Sequence, residues 1–172
     1  MQRPAGAAND PQYCKPVEKE FYKVTLWGCF CSQGVGTGRI FLGELSKQLY
    51  CDILENNLKP TYRRFFPRGV WRFLQDNASP HVNEAVNIWM HNHEIHIIEF
   101  PPCSPDLNPI ENLWHTLKWR VDHRNPRTAE EFERVIGEEY EAISVDECAT
   151  LARSMPDRLL QCIDFQGHKT KY

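Results

Sequence analysis

The stretch from Phe73 to Trp114 constrains the fold of this chain more than any other. It opens with Phe73-Leu74-Gln75-Asp76-Asn77-Ala78-Ser79-Pro80-His81, an apolar strand-like run that ends in a carboxylate. It closes with Phe100-Pro101-Pro102-Cys103-Ser104-Pro105-Asp106-Leu107-Asn108-Pro109-Ile110-Glu111-Asn112-Leu113-Trp114, a proline-rich loop that sets Glu111 on the first turn of a helix. Between Asp76 and Glu111 lie 34 residues. That is room for a helix, a strand and a loop, so the chain can bring the second carboxylate back to the first. Carboxylates at a strand end and a helix start are the hard oxygen donors that a divalent metal site for phosphoryl transfer uses. Each also has an ordinary structural reading. Asp76-Asn77 reads as a turn after a strand. Glu111 reads as the third residue of a helix capped by Asn108 with Pro109 at its first position. Capping alone does not call for both acids at this spacing.

The rest of the chain supplies an α/β frame. Phe21 to Phe30 alternates, with Tyr22, Val24 and Leu26 on one face and Lys23 and Thr25 on the other, which predicts a strand. Gln33 to Gly38 is a glycine-rich turn, and Arg39 to Leu42 returns as the second strand of a hairpin. The glycines lack the lysine and the following helix of a phosphate loop. Ser46 to Leu58 has helical spacing through Leu49, Tyr50, Ile53, Leu54 and Leu58, with Pro60 as its stop. A basic linker then leads to a strand over Val70 to Gln75. Ser79 caps a helix with Pro80 at its first position and Ala85, Ile88 and Trp89 on its apolar face. Ile95 to Phe100 is nearly continuous apolar, the pattern of a buried parallel strand. A helix over 110–124 carries Ile110, Leu113, Trp114, Leu117 and Val121 along one stripe. Thr128 with Glu131, and Ser144 with Glu147, are capping boxes for two more helices. Pro156 starts a last helix carrying Leu159, Leu160 and Ile163, closed by Gly167.

A chain of 172 residues is about one domain. Residues 1–18 read as a loose, poorly ordered lead-in, and 19–172 as the domain. The net charge of −3 argues against a generally basic nucleic-acid binder, but the charge is segregated. Residues 59–72 hold Lys59, Arg63, Arg64, Arg68 and Arg72 and no acid, whereas 128–147 hold eight acids against Arg134 alone. Each run also reads as a solvated face. Arg63, Arg64, Arg68 and Arg72, with Lys118, Arg120 and Arg124, are the candidate phosphate contacts. Seven scattered cysteines fit a reducing compartment. His91, His93 and His96 invite a zinc reading but lack a paired cysteine motif, so a helix end followed by a strand is preferred. No apolar run reaches the length of a membrane span.

On Gln75-Asp76-Asn77-Ala78 with His81, and on Pro101 to Glu111, the chain resembles the catalytic domain of the mariner-type (Tc-like) cut-and-paste DNA transposases. Leu26-Trp27-Gly28-Cys29-Phe30, Ser154-Met155-Pro156 and Gly167 to Tyr172 match as well, so the resemblance covers about residues 8–172. It implies an α/β, RNase H-like (retroviral integrase-like) mixed sheet flanked by helices. It also implies a triad of two Asp and one Glu, in which Asp76 and Glu111 are the second and third catalytic, metal-holding acids. Asn77 and His81 would line the site, and Asp106 would lie outside it. Two Mg2+ (or Mn2+) ions about 4 Å apart would be held, with the carboxyl groups roughly 4–8 Å from each other. The implied partners are DNA, as transposon ends and target, and a second copy or a full-length transposase, in the nucleus. The family's first Asp sits on a strand ahead of Leu26-Trp27-Gly28, and neither Asp10 nor Asp52 takes its place. The expectation is therefore a domain with its first strand missing and no amino-terminal helix-turn-helix region. Metal binding should then be weak and DNA cleavage and strand transfer impaired. The alternative is a non-catalytic remnant that binds DNA or a protein partner.

Overall fold

The computed structural model describes residues 24–172. The expected lead-in over 1–18 and the first residues of the expected strand fall outside them. Strand β1 (Val24–Trp27) is followed by the two-residue strands β2 (Phe30–Cys31) and β3 (Gly34–Val35) and then by β4 (Arg39–Leu42). β1 and β4 pair antiparallel from Val24↔Leu42 to Trp27↔Arg39, and the β2–β3 hairpin is nested between them. The period of two sends neighbouring side chains to opposite faces. Val24, Leu26 and Ile40 pack against one apolar cluster, while Trp27 and Phe41 pack into another.

Helix α1 (Lys47–Ile53) starts where Ser46 Oγ accepts from Leu49 N at 3.1 Å. The predicted stop at Pro60 is not a stop. The chain passes through a π-helical turn, Leu54–Leu58, into α2 (Lys59–Phe65), with Pro60 in its first turn. Lys59 N donates to the Leu54 carbonyl, five residues back. A proline ends a regular helix because its ring meets a preceding carbonyl, and the wider π turn moves those carbonyls aside. Arg63 and Arg64 therefore stand on the last turn of a helix and not on a linker.

Strand β5 (Arg72–Leu74), helix α3 (Glu84–Asn92) and strand β6 (His96–Ile98) follow. β5 and β6 pair in parallel, Phe73 opposite Ile97, so the stretches 70–76 and 95–100 share one sheet as expected. Two local expectations change. The cap of α3 is Asn83, whose side chain accepts from Val86 N at 3.1 Å, because hydrogen bonds to Asp76 Oδ1 from Ala78 N and the His81 ring hold residues 76–81 as a loop. The later start turns Val86 and Met90 inward and leaves Ala85 and Ile88 exposed. β6 is also not buried on both faces. Ile95 just before it is buried, but Ile97 and Ile98 are exposed, because β6 has only β5 beside it among the described residues.

A 3-10 turn, Pro105–Leu107, then leads into α4 (Pro109–Arg124), α5 (Ala129–Glu141), α6 (Val145–Arg153) and α7 (Met155–Asp164). Leu113, Leu117 and Val121 of α4 join Val135, Ile136 and Tyr140 of α5 in the second cluster. Ser144 and Glu147 form the full capping box. At Thr128 only half of it forms, since Glu131 turns its carboxylate to Arg127 N at 2.7 Å. The Tyr140 hydroxyl ties this helical layer to the hairpin, accepting from Cys29 N at 3.2 Å beside the Cys29 carbonyl at 3.0 Å. That approach needs a glycine at position 28, where a Cβ would come within 2.7 Å of the tyrosine oxygen and 2.8 Å of the Trp114 ring. Gly28→Ala is expected to lower stability by about 1–3 kcal/mol through overpacking. Urea unfolding checks this, and a midpoint equal to wild type would show that Tyr140 and Trp114 simply move aside.

Candidate active site

β1 has β4 on one side and β5 has β6 on one side, and no strand joins β1 to β5 among the described residues. A cavity of about 420 Å3 lies between them. Leu26 and Trp27 form one wall, Phe73 and Leu74 the other, and Asp76, His81 and Glu111 all border it.

Asp76 lies two residues beyond the carboxyl end of β5, the end of a parallel strand where open α/β sheets place their ligands. Its Oδ1 accepts from Ala78 N at 3.1 Å and lies 2.6 Å from His81 Nδ1. The His81 ring rests against Tyr50 with centroids 4.5 Å apart. Tyr50 in turn donates to Gln75 Oε1 at 2.5 Å, and Gln75 Nε2 donates to the His81 carbonyl at 3.2 Å. Tyr50, Gln75 and His81 thus close a ring of three residues, and the imidazole of His81 holds the aspartate. Asn77 faces elsewhere and donates to the Phe100 carbonyl at 2.8 Å, bracing the exit of β6 against that of β5.

Glu111 is the third residue of α4, after Asn108 as cap and Pro109 as first residue. As a residue it is exposed, yet its carboxyl lies over the cavity wall. Lost hydration, and then the charge of Asp76, hold it above the usual carboxylate range. Asp106 is turned away from the cavity. Its Oδ2 accepts from Thr170 N at 2.8 Å, and although burial pushes it up, the hydrogen bonds of Thr170 outweigh this and hold it low.

The candidate phosphate contacts divide into two groups. Arg63, Arg68, Arg72 and Lys118 are exposed, and Arg72 borders the cavity. Arg64 is exposed but donates to the Val35 carbonyl at 2.6 Å and covers the Phe65 ring. Arg120 is paired with Glu147, and Arg124 bridges Glu138 at 2.9 Å and Glu139 at 2.7 Å. Among the described residues no group of three His, Cys, Asp or Glu is placed to hold a metal. His93 stacks on Trp89 and lies 3.3 Å from Glu55. Tyr50, one more member of a helical stripe by its spacing, borders the cavity and touches His81, and nothing local in the sequence marks it.

A parallel strand and a helix start that bring two acids to one cavity, beside an antiparallel hairpin and a helical layer, are the parts of an RNase H-like fold. The catalytic domain of Mos1 transposase, solved with raltegravir and Mn, superposes with a TM-score of 0.74 at 18% identity over 90% of this chain and 88% of that one. A Mos1 paired-end complex with the left transposon end gives a TM-score of 0.76 at 19% identity, covering 98% of this chain and 51% of that one. The chain belongs to the DDE superfamily endonucleases, whose family model matches residues 3–133. The Tcb1 transposable-element transposase of Caenorhabditis briggsae is 34% identical over the whole chain, which spans 63% of that relative's length.

Because the Glu111 carboxyl titrates above its unfolded value, its ionised form opposes folding. The penalty is present at neutral pH and vanishes once the pH falls below the unfolded value. Glu111→Gln is therefore expected to match or exceed wild-type stability at pH 7, with the difference closing in acid. Thermal unfolding across pH measures it, and a loss of stability at pH 7 would show that the charge is compensated.

Proposed function

We propose that this chain supplies two of the metal-holding carboxylates of a transposase, Asp76 and Glu111, for metal-dependent DNA cleavage and strand transfer. The observation that carries this is their convergence. With 34 residues between them in sequence, they border one cavity, where burial first and the charge of Asp76 second raise the pKa of Glu111. A cation between them would relieve that repulsion. Their carboxylate oxygens suit Mg2+ or Mn2+, and a divalent ion, when bound, polarises a phosphoryl oxygen and activates an attacking hydroxyl.

The chain's own residues do the rest. His81 holds Oδ1 of Asp76 and so orients the carboxylate, as the outer partners of metal ligands do. Pro109 and Asn108 fix the start of α4 and with it the direction of Glu111. Arg72 at the cavity mouth, with Arg63 and Arg68, offers charge to a DNA backbone. The partner is DNA, as transposon ends and target, with a second copy or a full-length transposase completing the assembly in the nucleus. The Mos1 complex with a transposon end supports DNA as the partner. No helix among the described residues is long and apolar enough to cross a membrane.

Two carboxylates hold metal less firmly than three, so weak metal binding and little turnover are expected of this chain by itself. The second reading is a module that binds DNA without chemistry. One experiment separates the two: the chain is extended with an apolar strand ending in Asp, and nicking of supercoiled DNA is followed with Mn2+ or Mg2+. Nicking confined to the extended chain and abolished by Glu111→Gln supports the enzyme. Nicking by neither supports the binding module, and nicking by the present chain would refute the impairment.

DNA affinity supplies a further prediction. Three phosphate contacts give a salt slope near −2.7, so affinity is expected to fall by roughly 40-fold between 50 and 200 mM salt. Asp76→Ala should leave it unchanged. Fluorescence anisotropy measures both, and a flat salt profile would sink the arginine assignment.

A further inference from the structure

Arg158 is the largest fully buried side chain among the described residues, at 1% exposure, on a helix whose Leu159 and Leu160 face solvent. A guanidinium is costly to bury unless its donors are satisfied. Here Nε donates to Ser154 Oγ at 2.8 Å, Nη1 to the Asp106 carbonyl at 2.6 Å and Nη2 to Asn112 Oδ1 at 2.7 Å. The last two acceptors bracket Glu111: Asp106 lies in the turn before α4, and Asn112 directly follows the glutamate. No carboxylate forms an ion pair with Arg158 among the described residues. Instead the Tyr172 ring covers it at 4.2 Å. Tyr172 is anchored by its hydroxyl on Asp157 Oδ2, and Thr170 N is bonded to Asp106 Oδ2 at 2.8 Å. One planar fork thus spans the corner from which α4 departs, and the segment Thr170–Tyr172 closes over it.

We propose that Arg158 is a positioning residue for Glu111, setting the direction of its carboxylate from behind, and that the strap Thr170–Tyr172 keeps Arg158 in place. This rests on Glu111 as a functional carboxylate. The fork explains the choice of arginine. A lysine is a point charge and cannot hold a carbonyl and an amide oxygen in one plane. The strap explains why a cation on a surface helix stays dry.

The test uses the 172-residue chain and two readouts. The first, without metal, is hydrogen exchange at the amides of Leu107, Asn108, Ile110 and Glu111, each hydrogen-bonded within the turn or the helix start. The second is Mn2+ affinity by electron paramagnetic resonance. Tyr172→Ala and Arg158→Lys are expected to speed exchange at these amides and to weaken Mn2+ binding about tenfold, the usual scale for outer partners of a metal ligand. Tyr172→Phe keeps the ring over the guanidinium but gives up the anchor on Asp157, and should fall between Tyr172→Ala and wild type in both. Ile143→Val, in the second cluster, serves as a control that loosens the protein elsewhere, and it should change neither readout selectively. If exchange at the four amides in Tyr172→Ala equals wild type, or rises no more than in Ile143→Val, the proposal is overturned. Should Arg158→Lys fail to fold, the two Tyr172 variants decide. Should wild type take up no Mn2+, the metal reading fails while the exchange readout still judges the strap.

Discussion

The strict alternation of side chains along the β1–β4 hairpin is the constraint on which the rest of the structure depends. One face feeds Trp27 and Phe41 into the cluster built on α1, α3 and the approach to β5, and the other feeds Val24, Leu26 and Ile40 into the cluster under α4, α5 and α6. The two candidate carboxylates belong to different halves. Asp76 leaves β5 on the first, and Glu111 stands on α4 over the second. Their separation is therefore set by a two-stranded ladder packed on both faces. A slip of one residue would exchange the faces and pull both clusters apart.

Each acid also has its own polar backing. Behind Asp76 stand His81, Gln75 and Tyr50. Behind the start of α4 stand Arg158 and Asn112, closed over by Tyr172. Tyr50, Gln75 and His81 border the cavity along with Asp76, whereas Arg158 and Tyr172 are not among its lining residues. Lost hydration at the cavity wall, and after it the charge of Asp76, raise the titration of Glu111.

The arginines show how charge depends on its neighbours. Arg120 and Arg124 share α4 with Lys118, yet they are spent on Glu147, Glu138 and Glu139, the acids of the neighbouring helices. The acid-rich run over 128–147 is thus partly an inner counterweight to α4 and not only a solvated face. Arg63, Arg68 and Arg72 are exposed and have no ion pair among the described residues, and Arg72 also borders the cavity.

What the sequence by itself determined is whatever local chemistry dictates. The hairpin, the parallel pairing of 70–76 with 95–100, the helix start at Pro109 and the box at Ser144 follow from period, proline and capping residues. The family resemblance rested on the acid-bearing motifs, and the matches to the DDE endonuclease model and the Mos1 fold agree with it. The tertiary structure decided what depends on distant partners. Pro60 continues a helix because a π turn gives its ring room, and α3 starts late because Asp76 claims the preceding loop. Ile97 and Ile98 stay exposed because β6 has only β5 beside it among the described residues. On α7 the pattern inverts, with leucines outside and an arginine within, because the acceptors that make its burial tolerable lie 46 and 52 residues away. Periodicity reports which face of an element is apolar. Whether a charge can be buried is set by donors and acceptors that only the folded chain brings together.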